Sequence, residues 1–334
     1  MRKEVSIAFQ TDKKADEYKA LAQLVNRYDF NVVSVYCDAP FHPSFGPLML
    51  MAPYLEKARI GPAAVSPFRI HPIDIAANTA LLADLAASGV YIGLARGAWL
   101  SEHGISEPSK PLQGMKEAIE IIQGLLSGKT IEGEAEIFNL KSVKAPYPIP
   151  DYKIPIMIGT WGRRLAELAG EYASEVKIGG SANPAMAGYL RKYIDRGAGR
   201  AGRSGKDVGV VLGAVTVVDE DRGLARSLAR QQVAMYLPVV MPLDPTVEIE
   251  PDLISRVRNS VAAGDFDRAG RLISDTLLDL FAFSGSPKDI IEQVNNAYAS
   301  SVKRIEFGTP HGINPTEGIQ LLGKKVLPGL ELYK

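Results

Sequence analysis

The sequence predicts a (β/α)8 barrel of the TIM type, one domain over residues 1–334 with two insertions. Three observations carry that expectation. Eight short β-branched or apolar runs recur along the chain, each is followed by apolar residues at helical spacing, and the connection after the first run lacks glycine. Strand–helix alternation implies a parallel sheet, because parallel strands need crossover connections. Eight such units in this length fit a closed barrel better than an open doubly wound sheet. The open sheet, the competing architecture, would carry a glycine-rich fingerprint in its first βα turn, and FQTDKK contains none.

Residues 5–9 read as the first strand, and 13–28 as a helix with Leu21, Leu24, Val25 and Tyr28 on one face. Residues 31–36 (NVVSVY) have the length and branching of a buried strand. A helix over 47–57, a strand over 58–66, an Ala- and Leu-rich helix over 72–87, a strand over 90–95 and an amphipathic helix over 112–126 follow. The rhythm then breaks at 128–152, where TIEGEAEIFNL and a Pro-rich run suggest a small hairpin and an extended return. Alternation resumes with strands over 153–158, 175–178 and 208–218 and helices over 163–172, 184–198 and 221–236. A second excursion over 238–275 opens with Pro238, Pro242, Pro245 and Pro251 and contains two helical patterns. A helix over 287–299, a strand over 302–307 and a helix over 316–326 complete the pattern.

Lys plus Arg total 38 and Asp plus Glu total 38, so the formal net charge is zero. This argues against nucleic acid as the main partner, since that affinity comes largely from neutralising phosphates. A composition 46% hydrophobic and 23% charged supplies a large core and argues against disorder. Cys37 is the sole cysteine, which excludes an internal disulfide and a cysteine-rich zinc site; it reads as a packing residue. No apolar run approaches the ~18 residues of a membrane span, and no targeting segment is expected at the start, so a cytoplasmic location is the default.

Barrel active sites lie at the C-terminal ends of the strands. Polar groups and glycines cluster there: Gln10, Thr11 and Asp12; Cys37, Asp38 and His42; Ser66, Pro67, Arg69 and His71; Arg96, Gly97 and Trp99; Gly159, Thr160, Trp161 and Gly162; Gly179, Gly180, Ser181 and Asn183; Asp219 and Glu220; and Gly308, Thr309, Pro310 and His311. Gly159-Thr160-Trp161-Gly162 directly precedes a helix beginning with Arg163 and Arg164. Backbone N–H groups of that type hold anions, although a plain strand-to-helix turn has the same spacing. Gly179-Gly180-Ser181 offers a second such turn. The four histidines lack metal-site spacing. His71 precedes Pro72 and suits a helix start, His103 suits the surface, and His42 and His311 are open between surface and catalytic roles. No serine-hydrolase elbow or P-loop occurs.

Several segments resemble one family. IGPAAVSPFRIHP (60–72), YIGLARGAWLSEHGI (91–105) and PIMIGTWGRRLAELAGEYASEVKIGG (155–180) are similar to the third-strand, fourth-strand and cofactor-phosphate segments of the bacterial luciferase-like flavin- and deazaflavin-dependent oxidoreductases. FSGSPKDIIEQV (283–294) and RIEFGTPHGINPTEGIQLLGKKVLP (304–328) are most similar to the methylenetetrahydromethanopterin reductase branch, which uses coenzyme F420. The resemblance implies a (β/α)8 barrel whose late insertion is the 238–275 excursion. It also implies a non-prolyl cis peptide at Ala64–Val65, with Ala64, Val65 and Ser66 backing the ring. Gly159, Thr160, Trp161, Gly162, Gly179 and Gly180 would hold the cofactor phosphate, and Asp38, Gln10 and Arg96 would orient substrate or relay protons. Three positions differ from that branch: Ala8 stands at its first-strand glutamate, Ala39 at a frequent histidine, and Arg96 at an acidic residue.

The implied activity is F420-dependent hydride exchange with a small organic substrate, including a methylenetetrahydromethanopterin reductase-like reaction in one-carbon metabolism. An FMN-dependent monooxygenase, a non-catalytic flavin-binding protein and a lyase or aldolase on the same barrel stand as alternatives. The last is disfavoured by the lack of an obvious Schiff-base lysine at a strand end. The resemblance also implies a homo-oligomer, dimer or tetramer.

Overall fold

The computed structural model describes residues 2–98, 100–133, 135–248, 250 and 252–333, so Trp99 and Pro251 lie outside the described residues. Its strands are β1 (Glu4–Phe9), β2 (Val32–Val35), β3 (Arg59–Pro62), β4 (Ile92–Ala95), β5 (Ile131–Gly133), β6 (Leu140–Val143), β7 (Ile156–Gly159), β8 (Glu175–Gly179), β9 (Gly209–Val218), β10 (Ala282–Gly285) and β11 (Val302–His311). Eight of them run in the order β3-β2-β1-β11-β9-β8-β7-β4. Parallel bridges from Ile60 to Val90 and from Val65 to Leu94 bring the two end strands together. The expected parallel barrel therefore forms, and the open doubly wound sheet does not. Closure needs Gly61, because a Cβ there would stand 2.3 Å from the Tyr91 carbonyl oxygen.

Outward strand residues such as Ile7, Val33, Ile60, Leu94, Ile158, Val176, Leu212 and Phe307 are fully buried in the main apolar core under the surrounding helices. The early excursion is the expected hairpin, β5 with β6. Glu117, on helix Pro111–Leu126, anchors its loop by accepting the N–H groups of Glu136, Ile137 and Phe138 at 3.0, 2.9 and 3.0 Å. The late excursion begins later than expected, because helix Arg222–Val240 continues through Pro238. Proline removes one N–H but leaves enough of the turn to carry the helix to its nearby end. Helices Leu253–Ala262, Phe266–Arg271 and Asp275–Phe281 follow it. They share a second apolar cluster that includes Val233, Leu237, Val257 and Phe281. Buried Arg226 pins it to Asp275 at 3.0 Å and to Asp279 at 2.7 Å. Strand β10, which pairs with the upper half of β9, was not expected from its four residues. Among the described residues no helix is long and apolar enough to cross a membrane.

The barrel interior is charged. Arg304 and Glu306 on β11 are both fully buried. Arg304 donates to Glu175 at 2.6 Å and to the Ser6 hydroxyl at 3.1 Å. Arg59 donates to both Glu4 oxygens at 2.9 and 2.8 Å, and Lys303 reaches Glu175 at 3.2 Å. One layer higher, Glu306 takes the Lys177 ammonium and, at 2.5 Å, the Ser34 hydroxyl. Ser34 in turn lies 2.8 Å from the Tyr91 hydroxyl. Burial alone would raise the Glu175 carboxyl, but Arg304, Lys303 and Arg59 outweigh it and hold it down at about 2. Burial likewise opposes ionisation of Glu306, and Lys177 and Arg304 reverse the sign.

Removing one partner of such a ladder strands charges that water cannot reach. Arg304→Met is expected to lower the unfolding free energy by about 3–5 kcal/mol, read from urea unfolding; a loss within experimental error would contradict the ladder's importance. The stability that Glu175 adds through its depressed carboxyl is complete above its unfolded value of 4.5 and is lost as pH falls toward about 2. The stability gap between the native protein and Glu175→Gln should therefore narrow from pH 4.5 downward, and an unchanged gap would count against this assignment.

Candidate active site at the mouth of the barrel

The strands end together at one face, and the side chains there fall into a shelf, a floor and a polar edge. The shelf lies on three neighbouring strand ends. A Cβ on Gly159 would stand 3.4 Å from the Ala95 Cβ and 4.0 Å from the Ala64 Cβ, so nothing larger than a methyl group projects from any of the three. On the next strand, a Cβ at Gly179 would meet only the Lys177 Cε, at 4.0 Å. All four residues are partly exposed.

The third strand stops at Pro62 rather than at Ser66, and the non-prolyl cis peptide lies at Ala63–Ala64, one residue before the expected Ala64–Val65. Only Ala64 of the expected trio faces the mouth. Val65 is buried and returns to the ladder through its N–H to the Gly93 carbonyl at 2.9 Å. Buried Ser66 donates to the Arg96 carbonyl at 2.5 Å and tightens the bend from behind.

The floor is Tyr36, lying above the Lys177–Glu306 pair with the Lys177 ammonium 5.2 Å from its ring centre. Gly308 makes room for it, since a Cβ there would stand 2.6 Å from the Tyr36 hydroxyl and 2.7 Å from the Ala214 carbonyl oxygen. Neither Tyr36 nor Lys177 was singled out from sequence. The available signal was strand parity: Lys177 precedes Gly179 by two residues, Glu306 precedes Gly308 by two, and Tyr36 follows Ser34 by two, so all share the inward phase. Lys177, two residues before the end of β8, is buried and paired with Glu306.

At the polar edge Gln10 donates to Asp38 at 3.3 Å while its carbonyl oxygen receives the Thr11 N–H at 2.9 Å. Arg69 holds the segment by donating to the Cys37 carbonyl at 2.9 Å. Cys37 is buried packing, as expected. Arg96 does not join Gln10 and Asp38; it is exposed and pairs with Glu107 at 3.6 Å. Glu107 lines a cleft of about 460 Å³ together with Phe68, Phe138, Ile137 and Arg69.

The two glycine turns differ. Gly180 and Ser181 both donate their N–H groups to the Gly213 carbonyl, at 2.6 and 3.1 Å, so this turn spends its donors internally. In the other turn the Thr160 hydroxyl takes the Gly162 N–H at 2.9 Å, and the Trp161 indole donates to the Gly179 carbonyl at 3.0 Å. Helix Arg163–Tyr172 then starts with no side chain capping its first amides. His71 caps the helix that begins at Pro72 by accepting the Ile73 N–H at 3.2 Å. His42 and His103 are exposed. His311 is buried, against the surface role considered for it: it adopts φ 77°, packs edge-on against Phe9 at 5.4 Å, and burial pulls its imidazole down to about 4. Among the described residues no group of three His, Cys, Asp or Glu side chains could hold a metal ion.

Comparison with known proteins agrees with this architecture. The family model described as luciferase-like monooxygenase matches residues 6–304. The chain belongs to the luciferase-like family. Among its relatives is the 5,10-methylenetetrahydromethanopterin reductase of Archaeoglobus fulgidus, 29% identical over 97% of this chain and 99% of that protein. The F420-dependent glucose-6-phosphate dehydrogenase of Microbacterium testaceum is 26% identical over 82% of this chain and 79% of that protein. The solved coenzyme F420-dependent tetrahydromethanopterin reductase of Methanopyrus kandleri superposes with a TM-score of 0.90 at 23% identity, covering 99% of this chain and 100% of that one.

In this luciferase-like barrel Gly308→Ala forces a methyl group against a backbone oxygen that cannot retreat. A loss of about 1–3 kcal/mol is expected from overpacking, measured by urea unfolding, and Tyr36→Phe in the same chain should recover part of it. Full stability of Gly308→Ala would show that Tyr36 does not lie across this strand.

Proposed function

We propose that the chain is an oxidoreductase that binds coenzyme F420 at the barrel mouth and exchanges hydride between it and a small organic substrate. The observation that carries the reading is the shelf of Ala64, Ala95 and Gly159 leading to an uncapped helix start at Arg163. A deazaflavin combines a flat ring, which needs an apolar face without projecting side chains, with a phosphate-bearing tail, which needs unspent backbone donors. Both requirements are met side by side. The whole-length similarity to the Archaeoglobus reductase supports the same choice.

When bound, F420 supplies a ring carbon that accepts or donates hydride. The chain's own residues do the rest. Ala64, Ala95 and Gly159 cover one face of the ring and exclude water from it, leaving the opposite face to the substrate. Val65 and Ser66 brace the bend behind Ala64. The amides opening helix Arg163–Tyr172, with the exposed cations Arg163 and Arg164, hold the phosphate. Thr160 and Trp161 fix that turn, and Gly179 and Gly180 contribute space rather than donors. Gln10 and Asp38 form the polar edge beside the reacting face, while Arg96, paired with Glu107, serves the rim. In this reading the two excursions decorate a single barrel unit. Association into a dimer or tetramer belongs to the same proposal, with sedimentation as its measure.

FMN is the competing ligand, since it also pairs a flat ring with a phosphate. Titration followed by coenzyme fluorescence should give tighter binding of F420 than of FMN. Gly159→Val, which fills the shelf, should abolish F420 binding while leaving the thermal melt in place. Tighter binding of FMN with oxygen consumption would favour a monooxygenase, and binding of neither ligand would remove the proposal.

A further inference from the structure

One polar group at the mouth has no role in holding a ring or a phosphate. Tyr36 projects inward from the end of β2 and is partly exposed. The Lys177 ammonium lies 5.2 Å from its ring centre, and its hydroxyl lies beside Gly308 on β11, two strands away. That hydroxyl hydrogen-bonds to no described residue, yet it is not sealed away from solvent. A tyrosine seated in a charged interior would ordinarily spend its hydroxyl on a neighbour, as Tyr91 does on Ser34 at 2.8 Å. Tyr36 instead offers its hydroxyl to whatever enters the mouth.

We infer that Tyr36 is a catalytic residue that donates its phenolic proton to a substrate oxygen, so that the substrate is a carbonyl compound or the corresponding alcohol. The inference rests on the hydride-transfer reading above. In the reducing direction, hydride from the reduced coenzyme adds to the carbonyl carbon. The C–O π pair moves onto oxygen, and that oxygen takes the Tyr36 proton as the phenolic O–H bond breaks. The phenolate regains a proton from water at the mouth. Burial, with the carboxylates of Glu306 and Asp38, pushes the phenol well above its ordinary value, so the phenolate is short-lived and the phenol is the resting form. Neighbouring groups are less suited to protonating the substrate, because Asp38 is exposed and receives Gln10, and the Gln10 carbonyl is occupied by Thr11.

The test uses the F420-loaded protein and isobutyramide, a carbonyl that hydride does not reduce, with binding read from the coenzyme fluorescence. The native holoprotein should bind the amide, and Tyr36→Phe should weaken that binding about tenfold, the worth of one hydrogen bond. The F420 affinity and the thermal melt should stay unchanged. Equal amide affinity in both proteins, or no amide binding by the native holoprotein, would overturn the inference while F420 binding stood. Failure of the native protein to bind F420 would remove the underlying reading and this inference with it.

Discussion

The Arg304 guanidinium, with its bonds to Glu175 and Ser6, is the contact on which the rest of the barrel depends. An eight-stranded parallel barrel must fill its interior with side chains, and branched apolar residues are the usual choice. Here the filling is a ladder of charges from Glu4 and Arg59 at the bottom to Lys177 and Glu306 beneath the mouth. Desolvation makes each member costly alone, and pairing offsets the cost only while every partner stays in register. The ladder therefore ties β1, β3, β8 and β11 together through their side chains as well as through the sheet.

The ladder also shapes the mouth. Because Glu306 holds the Lys177 ammonium, that side chain lies flat below Tyr36 instead of rising into the opening. The residues two positions further along β8 and β11 are Gly179 and Gly308, so the strand ends above the charges carry no bulk. Ala64, Ala95 and Gly159 form an apolar shelf at the same end of the barrel, where Tyr36 and the Gln10–Asp38 pair supply the polar groups.

Much of this was legible in the sequence, because strand–helix alternation follows from outward-facing residues such as Ile7, Val33, Ile158 and Leu212, and their pattern is strong. The glycine turn before Arg163 is legible because small residues directly before a helix mark a strand-to-helix turn. The charged interior was harder to see. Period-two alternation marks Lys177 and Glu306 as facing away from the helices, but it does not say that the opposite face is buried. Strand order places Arg96 at the mouth with Gln10 and Asp38, but it does not reveal that Glu107, in the loop that follows, pairs with the guanidinium. The cis bond was misplaced by one residue within the run Ala63-Ala64, where two identical residues give no local signal to separate the positions. The Gly179-Gly180 pair looks the same in sequence whether its turn faces an anion or, as the Gly180 and Ser181 N–H groups do, the carbonyl of Gly213.

A crystal structure of the protein with F420 tests the central claim most directly, because the account assigns the ring and the reacting space to different sides of the mouth. The ring should lie against Ala64, Ala95 and Gly159, with its phosphate at the start of helix Arg163–Tyr172 and the Tyr36 hydroxyl open to the uncovered face. A ring seated instead in the rim cleft between Phe68 and Phe138, away from the shelf and from Tyr36, would contradict the account.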